Sequence, residues 1–416
     1  MFMSLKGLTN KELLLYLCAI SGEYPVKNVG NLIQSSSVRD VVSELQQEGL
    51  IKKVKLKDGV KVFRLSKRGK QLLINNDDGR FLNYLYGSVN TNRIPTDMRA
   101  KKRLISYAEV YTMMYHAGVL LFDTEKPDIF PESSPQGALA PAPLDDIQNN
   151  PDELRLGSGI LSSQPLNASR PRIVHPSFYT TRDYVRPKEW EGDDYGTHKP
   201  EAVKCSRSRG ILLTPTEVFC VYNTSDSMIE WGVDIEGRWK SEIERGICNT
   251  LMKHQYHGQE PSGLVIGKDM EILKRYLLEQ MHLKGTAKFF DTFKNMYYIT
   301  NDPMGMMQLK LIIDHVKLSC LKQFVMDKFL PVPKNYHIEC DAVTGDGQPV
   351  IVLLIPSIPR LLQYMRGVKD KKGVAVCFDY QREVFAELLG ENVQLRGMKP
   401  EGVDKMFSWG KGKRKK

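Results

Sequence analysis

Apolar residues near the start of the chain recur at the three- and four-residue spacing of amphipathic helices. In LTNKELLLYL and the residues after it, Leu13, Leu14, Leu17 and Ile20 form such a stripe, and the preceding Thr-x-x-Glu fits a capping box. A short helical stretch begins at Pro25, and SSSVRDVVSELQQEGL places three valines and a leucine on one face. The pattern therefore predicts three short helices before Leu50.

The apolar pattern then changes to short runs typical of strands. LIKKVKL and VKVFRL are joined by Lys57, Asp58 and Gly59, and Asp-Gly between such runs is a strong hairpin signal. The segment FRLSKRGKQLL follows, with a Leu-Ser pair and a glycine before another helix. Three helices followed by a hairpin is the order of a winged helix-turn-helix, which we predict for residues 1–78.

The rest of the chain divides into four further segments. Residues 79–126 are predicted to form a helical connector centred on RAKKRLISYAEVYTMMYHAG, and residues 127–176, with nine prolines, a linker. Residues 177–408 alternate apolar runs such as GLVIG, MYYIT and GVAVCF with helical patterns, which predicts an α/β domain with a mixed or mainly parallel sheet. Residues 409–416 form a basic tail. The expected class is an α+β or α/β multidomain protein.

Composition narrows the function classes. The net charge of +10 is concentrated near the N-terminus and in the tail, and such clusters favour polyanionic partners. The seven cysteines lie singly, without a CxxC pair, which indicates reduced thiols. No stretch approaches the ~20 apolar residues of a membrane span. We therefore expect a cytoplasmic protein without a membrane partner.

The segment from Ile51 to Lys70 contains nine Lys or Arg residues and one Asp, so the hairpin presents a nearly single-sign surface. Such a surface favours double-stranded DNA, with the hairpin on phosphates and the polar face of the third helix near base edges. The candidate DNA-binding residues are Ser36, Ser37, Arg39, Ser43, Gln46, Gln47, Lys52, Lys53, Lys55, Lys57, Lys61, Arg64, Lys67 and Arg68.

Two other functions remain open. The domain could dock protein, as an adaptor or transcriptional regulator, or the α/β domain could be a metal-dependent nuclease or nicking enzyme. The weak catalytic candidates are Asp226, Glu230, Asp234, Glu236 and Lys240. These residues lack the acid-x-Lys spacing that such nucleases use after a strand. Tyr179 and Tyr184 are further nucleophile positions, although tyrosines in such a segment usually pack. No cofactor is expected, and Mg²⁺ only for the nuclease.

The winged-helix region ending FRLSKRGKQLL, the stretch RLISYAEVYTMMYHAGV before EKPDIF, and SRSRGILLTPTEVFCVYNTSDSMIEW together resemble the replication-relaxation proteins. Plasmids and integrative conjugative elements of Gram-positive bacteria carry that family. The resemblance implies an accessory or regulatory DNA-binding protein of replication or mobilisation. It also implies a C-terminal domain similar to a nuclease fold, and a relaxase or another mobilisation protein as partner. Because this sequence lacks the acid-x-Lys spacing, we expect such a domain to serve for binding or homodimer formation.

Overall fold

The computed structural model describes residues 8–33, 35–75, 81, 85, 97–122, 124–130, 171–185, 206–225, 233–282, 289–368 and 371–407. The chain divides into two compact units. Unit 1 takes residues 1–205, 209–215 and 245–258, and unit 2 takes residues 206–208, 216–244 and 259–416. Helices and mixed sheets occur together, which confirms the predicted α+β class.

The α-helices are α1 (Asn10–Ser21), α2 (Val29–Leu32), α3 (Ser35–Gln47), α4 (Lys67–Asn75), α5 (Met98–Ala117), α6 (Thr181–Val185), α7 (Val233–Ile243), α8 (Lys253–Tyr256), α9 (Met270–His282), α10 (Pro303–Ile313), α11 (His315–Met326), α12 (Ile358–Gly367), α13 (Arg382–Leu389) and α14 (Pro400–Phe407). Short 3₁₀ turns lie at Val26–Asn28, Phe289–Thr292 and Asp379–Gln381, and a π-helical segment at Glu244–Leu251.

The strands are β1 (Tyr24–Pro25), β2 (Ile51–Lys55), β3 (Lys61–Leu65), β4 (Ser177–Thr180), β5 (Ser208–Leu213), β6 (Val218–Ser225), β7 (Ser262–Gly267), β8 (Met296–Thr300), β9 (Ala342–Val343), β10 (Pro349–Val352), β11 (Gly373–Phe378) and β12 (Val393–Met398).

Unit 1 begins with a helix whose ends follow from local sequence. Thr9 and Glu12 form the expected capping box, with the Thr9 N–H donating to Glu12 Oε2 at 2.8 Å. Gly22 ends α1 with a φ of 74°, a conformation that costs a glycine little. The leucines of α1 are buried, and α3, in which Val41 and Leu45 are buried, packs against this helix.

A three-stranded antiparallel sheet of order β1-β3-β2 completes this region. The hairpin of β2 and β3 confirms the strand prediction, and its register pairs Ile51 with Leu65 and Lys55 with Lys61. The two-residue strand β1 was not anticipated, and it pairs Tyr24 with Phe63 on the other side of β3. Both Tyr24 and Phe63 are buried, so the sheet forms one wall of the core.

Helix α5 covers the same core from another side. It packs against α1, and the Tyr24 hydroxyl lies 2.8 Å from Thr112 Oγ1. The helix begins at Asp97, whose side chain accepts from the Ala100 N–H, and ends at Gly118 in the left-handed region. Within the segment 79–126 the helix covers Met98–Ala117, and it ends at Gly118, as the glycine in the sequence predicts.

The remaining elements of unit 1 lie far along the sequence. Strands β4 and β5 pair in antiparallel fashion, with Phe178 opposite Leu212. The Tyr256 hydroxyl at the end of α8 donates to the Thr214 carbonyl, and Gln255 holds the backbone of Ile173 with two hydrogen bonds of 2.9 Å. Residues 131–170 of the predicted linker and the tail from 409 lie outside the described residues.

Unit 2 contains the parallel strands that the α/β pattern predicts. Strands β6, β7 and β8 run parallel, and β7 is buried along its whole length, as the central strand of a covered sheet should be. Strands β10, β11 and β12 are also parallel, with β9 antiparallel to β10 at the edge. An isolated bridge joins Tyr297 of β8 to Ser357.

The structure corrects the sequence reading of unit 2 at two places. The segment PMGMMQLKLIIDHVKLSCLKQF, which the sequence predicts as one helical stretch, forms two helices, α10 and α11. The break falls at Asp314, which leaves helical geometry with a ψ of 80° and accepts from the Lys317 N–H to cap α11. Strand β12 was missed because exposed Gln394 and Arg396 interrupt its apolar pattern.

Candidate nucleic-acid interface

The basic hairpin, defined here as residues 51–68, keeps its cations in solvent. Seven of its Lys and Arg side chains are exposed: Lys52, Lys53, Lys55, Lys57, Lys61, Lys67 and Arg68. Asp58 is the single acid of this segment, and its Oδ1 accepts from the Val60 N–H at 3.2 Å. The exposed face is therefore strongly positive, as the sequence predicts.

The strand register places two of these cations directly opposite each other. Lys55 and Lys61 are paired across the antiparallel ladder at the outer end of the hairpin. Opposed residues point to the same face with their Cβ atoms about 5 Å apart, and like charges in this arrangement destabilise the sheet. A hairpin selected only for stability would carry opposite charges here. The pair therefore costs the hairpin a small like-charge repulsion.

The turn of the hairpin holds these lysines in a defined position. The Gly59 N–H donates to the Leu56 carbonyl, and the Leu56 N–H donates to the Val60 carbonyl at 2.8 Å. Gly59 has a φ of 86°, which suits the glycine position of a three-residue hairpin loop. Lys57 lies in this loop, so its charge projects from a hydrogen-bonded turn.

Ser66 fixes the base of the basic hairpin. Its hydroxyl donates to the Gly49 carbonyl at 2.5 Å and accepts from the Gly69 N–H at 3.0 Å, while its N–H donates to the Leu50 carbonyl. This explains the Leu-Ser and glycine signal: the serine caps α4 and ties it to the end of β3. Lys67 and Arg68 follow in the first turn of α4.

Helix α3 presents a polar face with its acids partly neutralised. Arg39, Ser43, Gln46 and Gln47 are exposed, Ser37 is half-buried, and the side chain of Ser36 lies outside the described residues. Glu44 of this helix and Glu48, which follows the helix directly, both pair with Lys11, the latter at 3.2 Å. Asp40 is the other acid of this helix and is exposed. The rest of the exposed face carries side chains that can form hydrogen bonds.

Arg64 differs from the other hairpin cations. Its guanidinium forms an ion pair with Glu23, whose side chain is fully buried. Burial raises the pKa of Glu23, while the charge of Arg64 lowers it. Arg64 thus has a structural partner within unit 1, and we leave it out of the proposed DNA surface.

The weak catalytic candidates that the structure describes, Asp234, Glu236 and Lys240, have separate surroundings. Asp226 and Glu230 lie outside the described residues, and Asp234 is exposed at the start of α7. Glu236 is buried, and its carboxylate accepts from the Ser206 hydroxyl and the Arg207 N–H, both at 2.7 Å. Lys240 pairs with Glu260 at 3.1 Å.

The environment of Glu236 is that of a buried structural carboxyl. Burial raises its pKa, and the hydrogen bonds from Arg207 and Ser206 oppose this change. Over the described ranges, no group of three or more His, Cys, Asp or Glu residues is placed to hold a metal ion. The geometry therefore adds no support to the nuclease hypothesis.

The two candidate tyrosines pack inside unit 1. The Tyr179 hydroxyl donates to the Pro127 carbonyl at 2.6 Å, and the Lys126 ammonium lies 4.9 Å from its ring centre. Burial raises the pKa of Tyr179. Tyr184 is also buried and meets Phe130 edge to face. These contacts support the packing interpretation over a nucleophile.

A second polar cluster, which sequence reasoning missed, lies in unit 2 around Lys322, Ser357 and Arg360. The only local signal is the start of α12 in SIPR, where a serine precedes a helix with proline as its second residue. The partners come from distant segments, so spacing alone would not have found the cluster.

None of the helices in the described part of the chain is long and apolar enough to cross a membrane. The chain matches no family model, no curated protein and no solved structure. Its function must therefore be argued from its own residues.

Proposed function

We propose that the chain binds duplex DNA through a winged helix formed by residues 8–75. The element order α1, β1, α2, α3, β2, β3 and the sheet order β1-β3-β2 support this interpretation. In such a domain α3 enters the major groove and the hairpin follows the phosphate backbone. The Arg39, Ser43, Gln46 and Gln47 side chains are then the candidate base readers.

The opposed pair Lys55 and Lys61 carries the proposal. Their repulsion has a physical reason if phosphates lie between or beside them, since each contact releases condensed counterions from the DNA. Lys52, Lys53, Lys57, Lys67 and Arg68 extend the same exposed positive surface. DNA contacts by these residues would explain why the hairpin carries many positive charges and a single negative one.

The test is a fluorescence-anisotropy titration of labelled duplex DNA at several salt concentrations. In the variant Lys55→Ala, Lys57→Ala, Lys61→Ala, loss of three phosphate contacts would reduce the slope of log K against log salt by about 2.7. The control Lys253→Ala, Lys334→Ala, Lys371→Ala removes the same charge from exposed lysines elsewhere. Its slope should equal that of the unmodified chain.

Base reading is tested separately. Gln46→Ala and Gln47→Ala should relax sequence preference, since a good bidentate contact contributes about 1–3 kcal/mol of discrimination. A chain without duplex affinity at low salt would instead favour a protein-docking adaptor, and we would then look for retention of a relaxase.

The biological setting we propose is the cytoplasmic replication or mobilisation of a plasmid or conjugative element. It rests on the resemblance of the quoted segments to the replication-relaxation proteins. The chain would act by binding and would position its partners on the DNA, as an accessory or regulatory protein. Cognate DNA from the neighbourhood of its own gene is the first duplex to titrate.

A further inference from the structure

A cavity of about 160 Å³ lies within unit 2, where β8, β10, α11 and the start of α12 meet. Its volume is well above the ~10–15 Å³ that one water molecule needs. Buried aliphatic side chains, including Ile351 and Leu353, form part of the wall. The polar part of the wall comes from Asn295, Tyr297, Lys322, Ser357 and Arg360.

The hydroxyl of Ser357 has no hydrogen-bond partner among the residues that the structure describes, although only 5% of this residue is exposed. Ser357 is the N-cap of α12, yet its side chain makes no capping hydrogen bond. A buried hydroxyl without a partner costs about 1–3 kcal/mol. A serine in the wall of a cavity avoids that cost when a ligand accepts its hydrogen bond.

The start of α12 adds donors of the same kind. The bridge between Tyr297 and Ser357 holds this end of the helix beside β8, and the Tyr298 N–H donates to the Pro356 carbonyl at 3.0 Å. The first hydrogen bond within this helix runs from the Leu361 N–H to the Ser357 carbonyl. The Arg360 N–H lies one residue earlier, in the first turn, where backbone N–H groups have no partner within the helix. A helix N-terminus of this kind favours an anion.

Two cations complete the polar wall. Arg360 is fixed by Asp341, whose Oδ1 accepts from its guanidinium at 2.6 Å and whose Oδ2 accepts from the Val352 N–H at 2.8 Å. Both oxygens of Asp341 thus have hydrogen-bond partners. Lys322 is half-buried, and no ion pair to it is found within the described residues.

The electrostatic environment of Lys322 disfavours its charged form. Burial lowers the pKa of Lys322 and so does the charge of Arg360, whereas Asp341 and Glu217 raise it. Burial in turn raises the pKa of Glu217, with His315 and Lys322 opposing that change. An anion in the cavity would stabilise the ammonium of Lys322.

We propose that this cavity binds a phosphate group. A tetrahedral oxyanion accepts several hydrogen bonds at once, and it matches the ammonium of Lys322, the guanidinium of Arg360, the hydroxyl of Ser357 and the helix start. The phosphate is either free in solution or carried by the end or backbone of a nucleic-acid strand. The site is separate from the basic hairpin and does not depend on the DNA-binding proposal.

The first experiment titrates inorganic phosphate into the full chain, in buffer free of other oxyanions, and follows the ³¹P resonance. We expect saturable broadening with a Kd below about 1 mM. Lys322→Met should weaken binding about tenfold or more, because a hydrogen bond to a charged group is lost. Lys328→Met removes an exposed lysine just beyond α11 and should leave the Kd unchanged.

Ser357→Ala separates binding from folding. Removal of an unpaired buried hydroxyl should leave the melting temperature of the phosphate-free protein unchanged or raise it, while phosphate affinity falls several-fold. Absence of saturable binding up to ~10 mM phosphate would overturn the proposal. Equal losses in Lys322→Met and Lys328→Met would overturn it as well.

The source of the phosphate is found by competition. A short single-stranded oligonucleotide with a 5′-phosphate and the same strand without it are added to the phosphate complex, using the variant that lacks Lys55, Lys57 and Lys61. Displacement only by the phosphorylated strand supports the site and identifies a strand end. Displacement by both strands supports a backbone phosphate as the ligand. Displacement by neither strand supports free phosphate.

Discussion

Replacement of Lys55 or Lys61 by Gln should stabilise the basic hairpin and weaken DNA binding at the same time. The two residues are opposed in the ladder. At a separation of ~6 Å in water, two unit charges repel by about 0.7 kcal/mol, and screening at 0.1 M salt reduces this to about 0.4 kcal/mol. Each single substitution removes the whole repulsion, so the double substitution should gain little more.

Hydrogen exchange of the segment around β2 and β3 is the appropriate measurement. Because the chain has two compact units, its global unfolding need not be two-state, whereas exchange reports opening of this hairpin alone. The gain of about 0.4 kcal/mol should disappear in 1 M salt, where the Debye length is about 3 Å. In parallel, each substitution should lower the DNA binding constant about eightfold at 0.1 M salt.

The reasoning would be refuted if each Gln variant exchanged faster than the unmodified chain, or if the two effects on hairpin stability simply added. It would also fail if Lys334→Gln, an exposed lysine in unit 2, weakened DNA binding as strongly. A more stable hairpin together with weaker DNA binding is the result expected if Lys55 and Lys61 serve to bind DNA.

Four further outcomes are expected. Gly69→Ala should lower the free energy of unfolding by about 1–3 kcal/mol, because its Cβ would lie 2.3 Å from the Leu50 carbonyl oxygen. Gly237→Ala in α7, with nothing within 4 Å, should raise it by roughly 0.5–1 kcal/mol, and urea titrations compare the two. Burial raises the pKa of Glu236 above its ordinary value of 4.5. Its contribution to the free energy of unfolding is therefore complete below pH 4.5 and is lost as the pH rises through the pKa of the folded state. The difference between the urea midpoints at pH 4.5 and pH 7.5 should therefore be smaller in Glu236→Gln than in the unmodified chain. Supercoiled DNA with Mg²⁺ or Mn²⁺ should stay uncut, and cleavage that Asp234→Ala abolishes would favour the enzyme.

The features that sequence predicts well here depend on neighbouring residues. The capping box at Thr9 and Glu12, the Asp58-Gly59 turn and the end of α5 at Gly118 each involve groups within a few positions of one another. Their geometry is set by local hydrogen bonds and by glycine's access to positive φ. The long apolar strands of unit 2 are predictable for a related reason, since burial on both faces leaves a continuous apolar run.

The features that sequence misses depend on distant partners. Strand β1 has two residues and is a strand only because β3 lies beside it, and β12 is recognisable only through its pairing with β11. The phosphate cavity draws Asn295, Lys322 and Ser357 from separate segments. A lone lysine on a helix or a serine before a helix has ordinary structural roles, so only their convergence suggests a site.

The contacts of Tyr24 determine when the N-terminal core can form during synthesis. Its backbone pairs with Phe63, and its hydroxyl meets Thr112, 88 positions further along the chain. A nascent chain that has emerged only to α4 can close the hairpin but leaves one side of α1 and this hydroxyl uncovered. On a nascent chain the pairing of β1 with β3 can therefore form before the contact with α5. A fragment ending at Asn75 would keep the basic surface but lack the last layer of its core.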